Sequence, residues 1–141
     1  MKNLSDNMLF KQVIAPQAIG AAGSVDGTGI DCAGYEQLTV VADVGAVVAA
    51  ANKTITVKLQ ESSDNAVADA YADVTGATTG AVANAGQNKP YIIDVNLSER
   101  ERYLRVNATG GSADGALVGV MFILSRGRHE PPTQDKTVIS V

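Results

Sequence analysis

Apolar and polar positions alternate with period two through most of the middle of the chain. In "EQLTVVADV" (36–44), Leu38, Val40, Ala42 and Val44 fall on one side, and Thr39, Val41 and Asp43 on the other. "KTITVKLQE" (53–61) repeats the pattern, with Ile55, Val57 and Leu59 inward. "YIIDVNL" (91–97) aligns Tyr91, Ile93, Val95 and Leu97, and "YLRVNA" (103–108) aligns Leu104, Val106 and Ala108. Such alternation predicts half-buried antiparallel strands with one face in a core and one in water. The apolar run "ALVGVMFIL" (116–124) lacks it and reads as a central strand buried on both sides.

Gly- and Ala-rich connectors separate these segments: 20–29, 45–52, 75–88 and 109–115. Only "AVADAYAD" (66–73) carries enough Ala to suggest a helix, and it is expected to make one turn at most before Val74-Thr75-Gly76 resumes extended structure. Short strands with turn residues between them predict an all-β fold, a single antiparallel β-sandwich or jelly roll with extended N- and C-terminal arms. The expected boundaries are an N-terminal arm at 1–15, the sandwich at 16–128 and a C-terminal tail at 129–141. Both ends read as arms able to pair with another chain's sheet edge.

Composition changes this picture in one respect. Hydrophobic residues are 45% of 141, but Trp is absent and there are only two Phe and four Tyr. Aromatic side chains bring the largest burial per residue, so the core is thin and partners are expected to contribute stability. The net charge of −4 is uneven: residues 1–98 hold five Lys against ten acids, and all five Arg fall between 100 and 128. General affinity for nucleic acid or membrane is not expected. The alternating "ERERYLR" is better explained by cross-strand or inter-subunit ion pairs, in which Arg forks carboxylates.

Candidate chemistry is sparse. Glu61, Asp64, Asp69 and Asp73 lie within thirteen residues, but without the alternating acids, mid-loop Gly and terminal Glu of a calcium loop. They read as the solvated end of a hairpin. The single His129 sits in a Pro-rich tail, and the single Cys32 lacks a neighbouring base, so neither supports a triad or a zinc site. No phosphate-binding glycine loop precedes a helix. No catalytic, cofactor or metal residues are therefore expected.

The order "GYEQLTVVADVGAV", "ITVKLQESSDN", "RYLRVNATGG" and "GVMFILSRGRHEPP" resembles a family of small head proteins of tailed bacteriophages, the cement or decoration proteins, such as the jelly-roll one of a tropism-switching Bordetella phage. The resemblance covers roughly residues 30–132. It implies a non-enzymatic oligomer, made in the host bacterial cytoplasm, that sits outside an icosahedral head and clamps neighbouring capsomers. Its expected partners are the major capsid protein and itself, as a dimer in preference to a trimer. The candidate contacts are the apolar Met8, Leu9 and Phe10, with Arg126 and Arg128 pairing to shell carboxylates. The competing reading is a carbohydrate-binding jelly roll, for which Tyr71 between Asp69 and Asp73 is the best platform among Tyr35, Tyr71, Tyr91 and Tyr103. A hydrolase on Glu61 and Asp64 comes third.

Overall fold

Each of the four alternating segments forms a strand, and each buries the expected side. In the computed structural model, which describes residues 3–49, 51, 53–111, 116–128 and 132–133, they are β4 (Gln37–Val44), β5 (Ile55–Ser62), β7 (Lys89–Asn96) and β8 (Tyr103–Gly110). Leu38, Val40, Ala42 and Val44, then Ile55, Val57 and Leu59, then Leu104, Val106 and Ala108 are all buried. Tyr91, Ile93 and Val95 of β7 are half-buried against the same core. The remaining elements are α1 (Leu4–Asn7), β1 (Met8–Ile19), β2 (Ser24–Asp26), β3 (Ile30–Asp31), β6 (Ala72–Thr78) and β9 (Ala116–Ser125), with short 3-10 turns at Asn84–Gly86 and Leu97–Glu99.

All strand pairs among the described residues are antiparallel. One sheet has the order β1-β9-β4-β7; the other has the order β2-β8-β5-β6, with β3 also on β8. Counting β2 and β3 as one interrupted strand along β8, the described residues form eight strands divided into two sheets of four. Apart from the β5–β6 hairpin, successive strands pass between the sheets as in a jelly roll. The two inner faces enclose one core of Leu, Ile, Val and Ala around a single fully buried aromatic ring, Phe122.

Two elements depart from the sequence reading. The boundary expected after residue 15 falls inside β1: Met8–Ile19 is one strand paired along its length with β9, so from Met8 onward the expected arm is part of the sheet. Two register shifts, between Gln12 and Ile14 and between Ile14 and Gln17, break the alternation, and Val13 and Ile14 both turn inward. An irregular edge strand also tolerates Pro16, which has no N–H to give a ladder. Second, β9 is central, as expected, but buried on one face only: its residues alternate between buried and half-buried or exposed from Ala116 to Ser125. Strand β6 resumes extended structure over Val74-Thr75-Gly76 as expected, pairing with β5 in a shifted register, and Gly76 takes a left-handed backbone (φ 81°) within it. The C-terminal strand-like "TVISV" and His129 lie outside the described residues.

Candidate interaction surface

The strand register places the outward side chains of the β1-β9-β4-β7 sheet in rows. Met8, Ser125, Gln37 and Asn96 form the first, and Phe10, Ile123, Thr39 and Asp94 the second. Gln12, Met121, Val41 and Ile92 form the third, and Gly119, Asp43 and Pro90 the fourth, with Leu117 beyond. Eight of these side chains are apolar, and they concentrate around the third row and Leu117. Six large hydrophobic side chains are exposed among the described residues, and three stand here: Ile92 at 54%, Leu117 at 50% and Met121 at 38%. Between Leu117 and Met121, Gly119 leaves a shallow groove walled by Gln12, Pro16 and Asp43. A Cβ at Gly119 would stand 3.1 Å from Pro16 Cγ. The dent therefore depends on glycine.

The same sheet ends in a basic corner. Arg126 follows β9 in a left-handed backbone (φ 55°), and its guanidinium lies 3.7 Å from Glu36 with both side chains largely exposed. The Arg128 N–H donates to the Gly34 carbonyl at 2.9 Å, tying the segment to the turn before β4. A surface hollow between Tyr35, Gln37 and Asn96 opens beside the two arginines. Four of the five candidate contacts thus share one region: Met8 and Phe10 on the outer face, and Arg126 and Arg128 at its end. Leu9 is the exception. It pairs with Leu124 and points into the core at 8% exposure, because adjacent strand residues face opposite ways.

The outer face of the other sheet is charged and internally paired. Arg105 reaches Asp26 and Gln60 and lies over the Tyr71 ring at 4.3 Å. Asn107 donates to Ser24 and Asp26, and Lys58 and Gln60 both donate to Asp73. Arg102 forks Asp31 through Nε and Nη2, at 3.0 and 2.6 Å, which holds the Asp31 carboxyl below its ordinary range. These are the cross-strand pairs that the alternating arginines predicted.

Three of the four clustered acids hold loops, and Asp73 pairs across β5 and β6. Glu61 accepts from Arg100 Nη1 and the Glu101 N–H, both at 3.1 Å. Asp64 accepts from the backbone N–H groups of Val67, Ala68 and Asp69. Partial desolvation pushes its carboxyl upward, but those three donors outweigh it and hold the group low. Asp69 is held low by the Ser63 N–H and then its hydroxyl, and Asp73 by Gln60 and then Lys58. Tyr71 donates its hydroxyl to Asn65 and gives one ring face to Arg105, so it is no open platform. Burial pushes the Cys32 thiol up to about 12, which leaves it protonated and unreactive at neutral pH. Among the described residues no three His, Cys, Asp or Glu are placed to share a metal ion, and no helix is long and apolar enough to cross a membrane.

The fold and these two unlike faces define an antiparallel jelly-roll domain with one apolar and one polar surface. No family model matches the chain, and no curated protein matches it. Among solved structures it is similar to the PBSX exported protein XepA, with a TM-score of 0.62 at 18% identity; the match covers all of this chain and 44% of XepA. The chain therefore spans less than half of that protein. A Bacillus endospore appendage protein, from a family of disulfide-linked pili, matches with a TM-score of 0.49 at 14% identity over 89% of this chain and 93% of that one. The CBM22-1 xylan-binding domain of Paenibacillus barcinonensis Xyn10C gives 0.42 at 13% identity, over 84% and 86% of the two chains. At such identities the likeness is one of fold.

Proposed function

We propose that this protein is a non-enzymatic structural component of a phage virion, a cement protein that binds the outside of the icosahedral head and clamps neighbouring capsomers of the major capsid protein. The observation that carries the reading is the contrast between the two outward faces. One satisfies its charges internally and suits water. The other presents an apolar field that ends in Arg126 and Arg128, and a soluble monomer seldom leaves such a field uncovered. The resemblance of the four strand motifs to head cement proteins supplies the partner, and the arginines supply forks for its carboxylates. A ligand that bridges capsomers stabilises the assembled shell by mass action, because it binds the closed junction and not the separated pieces. Tyr71, stacked and hydrogen-bonded, gives the carbohydrate-binding alternative no support.

The test is co-sedimentation with empty heads built from the major capsid protein. Saturable binding at a fixed ratio to capsid subunits is expected, reduced at least tenfold in affinity by Arg126→Glu/Arg128→Glu. Equal occupancy by that variant would remove the arginines from the contact. No binding of the wild type to any head would sink the cement reading itself.

A further inference from the structure

We infer that the outer face of the β1-β9-β4-β7 sheet is where two copies of this chain pair, about a twofold axis that lies in the contact plane and crosses the strands at the Met121–Val41–Ile92 row. The case rests on the distribution of side chains along one strand. On β9, Ile123 stands two residues to one side of Met121, and Gly119, the floor of the groove, stands two residues to the other. A twofold across the strands lays β9 on the second copy's β9 in the opposite direction. Each Ile123 then sits over the other copy's Gly119, while Gln12, Met121, Val41 and Ile92 meet their own counterparts. Phe10, beside Ile123 in the register, comes over the Pro16 wall of the same groove.

A bulge and a hollow placed symmetrically about one row is what a self-complementary contact requires. A different partner would need no such symmetry. Polar groups agree with this axis. Asp43 comes opposite Thr39, and Asp94 opposite Pro90, so no carboxylate faces another. A twofold parallel to the strands does worse: it sets Phe10 against Asp94 and Ile123 against Thr39, and brings the two Arg126 ends together. Packing two such faces about 10 Å apart, with the mean strand directions within about 30°, is the ordinary geometry of stacked sheets.

This pairing covers the apolar field with a second copy and leaves Arg126 and Arg128, at its margin, for the shell, so of the proposed reading it keeps only the arginine contact. Its test needs no heads. The full chain is expected to sediment at twice the mass of one chain, and Met121→Asp, an exposed position, to sediment as one chain with an unchanged melting temperature. The axis is tested with thiol variants and a short bismaleimide. Met121→Cys is expected to cross-link to itself. Leu117→Cys alone is not, because its two copies lie about 26 Å apart along the strands at about 3.3 Å per residue; mixed with Ser125→Cys it is expected to react. The unsubstituted chain, with Cys32 buried, is the blank. Three results would overturn the inference: a wild type that sediments as a single chain at every concentration, a Met121→Asp variant that stays paired, or self-cross-linking of Leu117→Cys as efficient as that of Met121→Cys. A single chain whose Met121 is protected only on heads would assign the face to the shell instead.

Discussion

Ser62 shows how much one hydroxyl carries at the end of the β5–β6 hairpin. It is fully buried, donates to the Asp69 carbonyl at 2.7 Å and accepts from the Asp64 and Ala66 N–H groups. Ser62→Ala removes three hydrogen bonds around one buried position, so it is expected to cost about 1–3 kcal/mol, read from the urea midpoint at constant slope. Glu101 acts in the opposite sense. Desolvation, and then Asp69 close by, raise its carboxyl above the ordinary 4.5, so the ionised form opposes folding. That penalty is present above the raised value and gone below 4.5. Glu101→Gln is therefore expected to raise the melting temperature at pH 7, with the gain disappearing near pH 4.5. Asp31, Asp64, Asp69 and Asp73 are all held below 3.8. Their contribution is complete above that pH and is lost as the medium falls through their lowered values. A melting curve that declines well above pH 4 would contradict this account of the loop.

Among the elements, β1 separates what the sequence could express from what it could not. Strands β4, β5, β7 and β8 were legible because each keeps strict alternation between a core and water. The two register shifts in β1 erase that signal and put Val13 and Ile14 on one side, so the segment reads as a loose arm. If it is a packed strand, Ile14→Ala, at 2% exposure, is expected to cost about 2–5 kcal/mol. A free arm would tolerate it within about 0.5 kcal/mol. In β9 the misreading had another cause. Leu117, Met121 and Ile123 are apolar and face outward, and hydropathy cannot tell a side chain covered by its own fold from one left for a second molecule. The candidate contacts were legible for the same partial reason. Met8 and Phe10 stand out by hydrophobicity, but only the pleat separates them from Leu9, and Val41 and Ile92, which complete the face, sit inside ordinary strand patterns.

At the scale of the whole molecule, two interfaces of different chemistry are assigned to one small domain, and salt separates them. The Arg126–Arg128 corner is exposed, so its attraction to shell carboxylates passes through water and falls as ions shorten the screening length from about 10 Å at 0.1 M to about 3 Å at 1 M. The apolar face owes its affinity to the removal of hydrocarbon from water, which salt does not screen and which sulfate strengthens. Raising ionic strength with sodium sulfate is therefore expected to release the protein from heads while leaving it paired, as followed by co-sedimentation and sedimentation velocity on the same samples. Met121→Asp reverses the order: single chains that still bind heads at low salt, though more weakly, because each presents one basic corner where a pair presents two. If salt instead split the pair while head binding persisted, the roles given to the two surfaces would have to be exchanged, with the apolar field on the shell and the arginines between copies.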